Sequence, residues 1–329
     1  MKLNMNKEIL DLLYCFDENY NIQANNSITS ILENISEKIN IYIIHKNPDT
    51  FSSYLERIKE NINIREIEIF HFKDKYMLET FPRVFKTHMS EATYYRFFIE
   101  KYLPKDIDFL TYLDADIICI SSPIDKLREQ IKLIGESDYL ISSKTETFID
   151  DNFDDENFRL DLNSKKYFNA GVMVINYKKW LANSISSKLL DELNRIKENV
   201  YYWDQDVLNS YFDGKYIELT KFLNYNLFMT KDDFFDRTPK SEKNEISLIH
   251  YVGSYKPWSI RGIFNPKSRY YQNQHMKLNN NKYHIVNTWR PDAILRFFLG
   301  IVTFRFIFIK KPIRFVIDVF VSLLKSNKK

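Results

Sequence analysis

Asp114 and Asp116 stand one residue apart at the end of an apolar run, Phe109–Leu113. A strand that ends in Asp-Ala-Asp carries both carboxylates to a place where the chain turns. In open α/β sheets, ligands gather at the carboxyl ends of parallel strands. Two such carboxylates can hold a divalent cation. An isolated Asp-x-Asp is also a common solvated turn cap, but the run before it is too apolar for an exposed strand, which points to the metal. His250 lies in a second apolar run, Ile246–Val252, ahead of Gly253-Ser254-Tyr255-Lys256-Pro257-Trp258. Alone, a strand-end histidine is more often a hydrogen-bonded core residue. Here a glycine allows close backbone approach and Lys256 offers a point charge for phosphate. Two carboxylates, one imidazole and diphosphate oxygens form an octahedral set that suits Mn²⁺ somewhat better than Mg²⁺.

Two further segments have chemistry to offer. Phe168-Asn169-Ala170-Gly171-Val172 puts an amide and two small residues at the start of a strand. Asn169 can donate to and accept from a sugar hydroxyl, although Asn-Ala-Gly also makes a simple bend. Trp203-Asp204-Gln205-Asp206 opens a helix, where Asp204 reads equally as an N-cap or as a functional carboxylate. The chain has only six glycines. It therefore contains no glycine-rich phosphate loop, and a bound diphosphate would need a metal ion to neutralise it.

Apolar periodicity supplies the elements that must position these groups. Ile9–Phe16 reads as a buried strand, and Ile28, Ile31, Leu32, Ile35 and Ile39 follow at helical spacing. Ile41–His45 reads as a strand, Phe51, Tyr54, Leu55 and Ile58 as a helix, and Ile62, Ile64, Ile67 and Ile69 as a third strand. This alternation predicts a parallel, Rossmann-like sheet. Further on, the pattern predicts a helix at Ala92–Tyr102, a surface loop at Asp150–Asn163, a strand at Phe168–Asn176 and a helix through Trp180 and Leu189.

The net charge of +3 is unevenly spread. From Arg290 onward nine Lys/Arg face two Asp, a net of +7, which leaves −4 on the preceding 289 residues. An acidic body with a basic, aromatic tail argues against nucleic-acid binding and for contact with an anionic membrane surface. Ile294–Ile309 is too short and too charged to span a bilayer. After Pro312 the polar residues Arg314, Asp318, Ser322 and Lys325 form one narrow stripe on an otherwise apolar helix. Two helices lying in the inner-leaflet interface fit this pattern, the alternative being helices that pack onto the body or form a dimer contact. Cys15 and Cys119 are the only cysteines, which suits a reducing cytoplasm. No signal-peptide core occupies Met1–Leu10. We expect a catalytic domain at 1–289 and a basic membrane-associating tail at 290–329, in a cytoplasmic protein peripherally attached to the cytoplasmic membrane.

Six segments occur in one order: Phe16-Asp17-Glu18-Asn19-Tyr20, Tyr95-Arg96, Leu113-Asp114-Ala115-Asp116, Phe168 to Val172, Asp204-Gln205-Asp206 and His250 to Trp258. In order and spacing the chain resembles glycosyltransferase family 8, nearest to bacterial lipopolysaccharide galactosyl- and glucosyltransferases and more distantly to glycogenin. The resemblance spans Leu10 to Trp258. It implies a GT-A fold, an α/β Rossmann-like mixed sheet flanked by helices. It also implies a retaining transfer of galactose or glucose from a UDP-hexose to a glycan or glycolipid acceptor. Asp114, Asp116 and His250 would hold Mn²⁺ or Mg²⁺. Asp17, Asn19, Asp114, Ala115, Gly253 and Lys256 would bind nucleotide and diphosphate. Arg96, Asn169, Ala170, Gly171, Asp204 and Gln205 would surround the donor sugar, with His88 and Thr93 on the acceptor side. The family has Thr-Asp or Ala-Asp before its uridine-binding Asp-Asn; this chain has Cys15-Phe16. An amide is a poor nucleophile, so Gln205 is expected to stabilise an oxocarbenium-like state during front-side attack. A transient covalent role for Asp204 stays open. The alternatives are a haloacid-dehalogenase-like phosphohydrolase, whose Asp-x-Asp belongs near the N-terminus, and an inactive sugar-binding homologue.

Overall fold

Leu12–Phe16 and all of Ile39–His45 are buried without a break. Apolar runs of that kind belong in a parallel sheet covered on both faces. The computed structural model describes residues 9–74, 81, 90–146, 159–229, 239–286 and 291–326. The chain begins with β1 (Asp11–Phe16), α1 (Asn21–Glu33), β2 (Ile39–His45), α2 (Ser52–Lys59) and β3 (Ile64–His71). A 3-10 segment, Glu91–Phe98, runs into one α turn, α3 (Ile99–Tyr102). Next come β4 (Phe109–Leu113), β5 (Ile117–Cys119), α4 (Ile124–Gly135), β6 (Ile141–Thr145) and β7 (Phe168–Asn176). They are followed by α5 (Tyr177–Ala182), α6 (Ile185–Ile196), α7 (Trp203–Phe212), β8 (Ile217–Glu218) and β9 (Tyr225–Asn226). The remaining elements are α8 (Lys240–Lys243), β10 (Leu248–His250), α9 (Ile260–Ile263), α10 (Arg269–Leu278), α11 (Pro291–Val302) and α12 (Pro312–Ser326).

By contact the chain divides into two units, Met1–Ala115 with Ser122–Asn224, and Asp116–Ser121 with Tyr225–Lys329. The first unit holds a seven-stranded sheet in the order β3-β2-β1-β4-β7-β6-β8. β3, β2, β1 and β4 are mutually parallel, β7 is antiparallel to both β4 and β6, and β8 is parallel to β6. The sheet is therefore mixed. Its core includes Tyr42, Tyr94, Tyr95, Trp180, Leu189 and Phe212, and Phe72 stacks on Tyr95 with ring centroids 3.9 Å apart.

Several boundaries differ from the sequence reading. The helix expected through Ile39 stops at Glu33, and Ile39 opens β2; its burial suits a helix face and a covered strand alike. The helix through Trp180 and Leu189 is broken, because Ser184 takes a left-handed φ of 49° between α5 and α6. The strand expected over Ile246–Val252 shortens to Leu248–His250. Residues 147–158, most of the expected loop at Asp150–Asn163, lie outside the described residues.

The second unit has a three-stranded sheet, β5-β10-β9. β10 runs antiparallel to β5, with His250 opposite Ile117, and parallel to β9. Residues 290–329 belong to this unit. Phe297, Phe315 and Val319 of α11 and α12 are fully buried with Ile260, Ile263, Met276 and Tyr283. Part of the polar stripe of α12 turns inward, while Lys325 at its end is exposed. Ser322 is 5% exposed, Asp318 accepts the Tyr283 N–H at 2.8 Å, and Arg314 pairs with Asp318 at 2.9 Å. The apolar side faces outward, with Ile313 76% and Leu324 66% exposed. Among the described residues no helix is long and apolar enough to cross a membrane.

Candidate active site

β1 and β4 are parallel neighbours, so the turns after Phe16 and Leu113 leave the same edge of the first unit's sheet. At the first turn Asp17 caps a 3-10 turn. Its Oδ1 accepts the Asn19 N–H at 2.9 Å, and Ser90 Oγ donates to its Oδ2. At the second turn Asp114 continues β4, and its N–H bonds to the Gly171 carbonyl at 2.8 Å.

Arg96 is the hub of this edge. Its 3-10 segment buries it to 3% exposure. Nη1 donates to the Ala170 carbonyl at 2.6 Å, Nη2 to Asp114 Oδ1 at 3.1 Å and Nε to the Thr93 carbonyl at 3.1 Å. Nε also lies 2.8 Å from Asp204 Oδ2. The guanidinium carbon sits 3.6 Å from the centroid of the Tyr112 ring, and Tyr112 donates its hydroxyl to Asp114 at 2.6 Å. Burial opposes the charge of Arg96, yet Asp204, Tyr112 and Asp114 raise its pKa, so it stays a cation. Burial pushes the Asp204 carboxyl up to about 6; Arg96 opposes that shift and Asp114 adds to it.

The entry to α7 is held from elsewhere. Its N-cap, Tyr202, makes no side-chain cap bond, and Trp203 takes a left-handed φ of 53°, a costly conformation for a bulky residue. Asp204 is thus not the helix cap; it pairs with Arg96. Asp206 holds the segment that leads into the helix, accepting the N–H groups of Tyr201 and Tyr202 at 2.7 Å each. Gln205 Oε1 accepts the Ala170 N–H at 3.0 Å.

In β7 the register against β6 slips between Ser143 and Lys144. Ala170 and Gly171 sit in that irregularity, where small side chains leave room. The Asn169 amide is engaged at both ends: Nδ2 donates to Glu146 at 2.6 Å, and Oδ1 accepts from Gly171 N at 3.0 Å and Asn224 Nδ2 at 2.9 Å.

In the second unit the β5–β10 register sets Asp116, just before Ile117, beside His250. Asp116 Oδ1 lies 3.3 Å from His250 Nε2, and Lys256 Nζ donates to Oδ2 at 2.7 Å. Asp116 is 7% exposed. Burial raises its carboxyl pKa, but Lys256 and then His250 hold it well below the usual carboxylate range. Lys256 also donates to the Tyr251 carbonyl at 2.5 Å. Gly253 is needed for its φ of 79°. Gly262 is needed for close approach, since a Cβ there would meet the Lys256 carbonyl oxygen at 2.0 Å.

Of the residues singled out by sequence, Arg96, Asp114, Ala170, Asp204 and Gln205 join in one bonded network in the first unit, with Thr93 contributing its carbonyl. Asp17 bonds to Asn19 and Ser90. Asp116, His250 and Lys256 meet in the second unit. Ala115 is buried between the two aspartates. His88 lies outside the described residues. Tyr112, Tyr167 and Arg159 were missed, and Asp206 was quoted in its motif without a role. Only Tyr112 carried a signal, since residues two apart share a face of a strand.

Residues 11–261 match the model for glycosyl transferase family 8. The chain belongs to that family. It is 31% identical over 284 residues to the lipopolysaccharide 1,2-glucosyltransferase of Escherichia coli strain K12, spanning 80% of this chain and 77% of that protein. It is 27% identical over 277 residues to the lipopolysaccharide 1,3-galactosyltransferase of Salmonella typhimurium strain LT2, spanning 79% and 76%. Among solved structures it is similar to the galactosyltransferase LgtC in complex with donor and acceptor sugar analogs, with a TM-score of 0.64 and 20% identity over 87% of this chain and all of that one. The fold is thus GT-A, and the protein is a family 8 glycosyltransferase. The family match ends before α11 and α12 and leaves the tail outside it.

Proposed function

We propose that this family 8 enzyme transfers galactose or glucose from a UDP-hexose, with retention, to a saccharide acceptor in lipopolysaccharide or another surface glycan. The names of its relatives support the sugar and the pathway class. The observation that supports a metal requirement is the buried Asp116, whose Oδ1 lies 3.3 Å from the His250 nitrogen. Asp114, two residues earlier, shares a single guanidinium with Asp204, which leaves excess negative charge on that network. Asp114, Asp116 and His250 fit Mn²⁺, with Mg²⁺ as the alternative. The cation supplies charge stabilisation for the departing UDP. Lys256 and the turn at Gly253 offer further positive charge and backbone approach to the diphosphate. Asp17, Asn19 and Ala115 border the nucleotide, and Asn169 and Gly171 shape the sugar pocket from β7. Arg96 fixes Asp204 and Ala170 against the donor sugar, and Gln205 Oε1, held at Ala170, stabilises positive charge at the anomeric carbon. Thr93 and His88 belong to the acceptor side in this reading.

Two free, buried cysteines support a reducing cytoplasm. The outward apolar side of α11 and α12 supports attachment to the inner leaflet.

The test is UDP release from UDP-galactose and UDP-glucose before and after chelation. Chelated enzyme should be inactive, Mn²⁺ should restore it best, and Asp116→Asn should lose most turnover while staying folded. Full activity in metal-free enzyme would sink the proposal.

A further inference from the structure

An amide side chain can stabilise a developing cation only if its oxygen, not its nitrogen, is presented. What sets that orientation in Gln205 is visible around it. Oε1 accepts the Ala170 N–H at 3.0 Å, and Nε2 donates to the Tyr167 hydroxyl at 3.3 Å. Tyr167 in turn donates its only hydroxyl proton to Asp206 Oδ1 at 2.7 Å. Asp206 is completely buried and is held by Arg159 through both terminal nitrogens, at 2.9 and 3.1 Å, and by the N–H groups of Tyr201 and Tyr202. Its geometry therefore owes little to Tyr167, whereas the proton of Tyr167 is committed to it.

A half-turn of the Gln205 amide would create two clashes of sign. The NH₂ group would face the Ala170 N–H, donor against donor. The carbonyl oxygen would face a phenol oxygen whose proton points at Asp206, acceptor against acceptor. We propose that Tyr167, oriented by Asp206, is a positioning residue that locks the Gln205 amide with its oxygen at the donor-sugar segment. This rests on the role given to Gln205 above. Burial, then the Asp206 charge, hold the phenol pKa well above its ordinary value, so Tyr167 keeps its proton. The frame is rigid: Asn209 of α7 clamps both backbone groups of Phe168, at 2.7 and 2.9 Å.

Tyr167→Phe removes one oxygen, keeps the buried ring, and leaves Asp206 satisfied by Arg159 and two backbone donors. The experiment is a double-mutant cycle read as UDP release from UDP-galactose and UDP-glucose with Mn²⁺. Tyr167→Phe should lower kcat roughly three- to tenfold, the scale of one oriented hydrogen bond, with KM for the donor within about twofold. In a Gln205→Ala background the same change should have no further effect on kcat. An equal loss in both backgrounds, or no loss in the single variant while Gln205→Ala is slow, overturns the role of Tyr167 alone. A Gln205→Ala enzyme with undiminished kcat removes the catalytic reading of Gln205 and this proposal with it.

Discussion

Arg96 shows how much one side chain can organise. It touches Asp114, Asp204, Ala170 and Tyr112, so it fixes groups from β4, β7 and α7 together. The planar guanidinium is what makes this feasible, because its donors leave in fixed directions. Truncating one partner of a buried charge network leaves the others uncompensated, a loss of about 3–5 kcal/mol. Arg96→Met should therefore lower stability by that amount in urea titrations, and a change below about 1 kcal/mol would show that the network is not held by this charge. The sequence pointed to Arg96 only through its family motif. Nothing in the neighbourhood of Tyr95-Arg96 reveals that its partners lie 18, 74 and 108 residues away.

At the scale of elements, the strands were legible where they are long and covered on both faces. β1, β2, β4 and β7 stand out because burial on both sides leaves an unbroken apolar run. α4 was passed over although Ile124, Leu127, Ile131 and Ile134 recur at helical spacing; β6 was not read because Ser142, Ser143 and Lys144 look polar, yet Ser142 bonds to Gln130 of α4 at 2.9 Å and Ser143 to the backbone of β7. Polar strand residues satisfied by neighbours carry no apolar period. A similar polar pair joins β1 to β2, where Asn40 Nδ2 donates to its register partner Asp11 at 2.8 Å. Burial pushes the Asp11 carboxyl up to about 6 from 3.8, against the hydrogen bond from Asn40. The folded state therefore holds an extra proton between those values, and stability falls as pH rises from about 4 to about 6. Asp11→Asn removes that titration and keeps an acceptor for Asn40. Between pH 4 and pH 7 it should gain about 1–2 kcal/mol on the parent, discounted for partial exposure. Parallel urea stability curves across that range would contradict the shift.

At the scale of the molecule, periodicity located the tail's helices but not how they pack. Periodicity located a polar stripe on α12 but not which side faces in. Asp318 and Ser322 turn inward because Tyr283 N and Arg314 satisfy the carboxylate, and Ile313, Ile317, Phe320 and Leu324 are left outside. Phe297, Phe315 and Val319 complete the core around Ile260 and Ile263, so deleting the tail would strip that core. Surface changes are the cleaner probe of membrane attachment. Ile313→Glu combined with Leu324→Glu alters two exposed positions and should leave UDP release intact. It should weaken sedimentation with phosphatidylglycerol vesicles at low salt by roughly tenfold or more, the scale of two lost apolar side chains. Parent and variant binding equally would exclude this surface.

The central claim, retaining hexosyl transfer by a metal-loaded family 8 enzyme, is tested most directly by the stereochemistry of the product. With an α-linked UDP-hexose, Mn²⁺ and a saccharide acceptor, the new anomeric proton is read by NMR. The small H1–H2 coupling of an α-linked product is the predicted result; the large coupling of a β-linked product would contradict it.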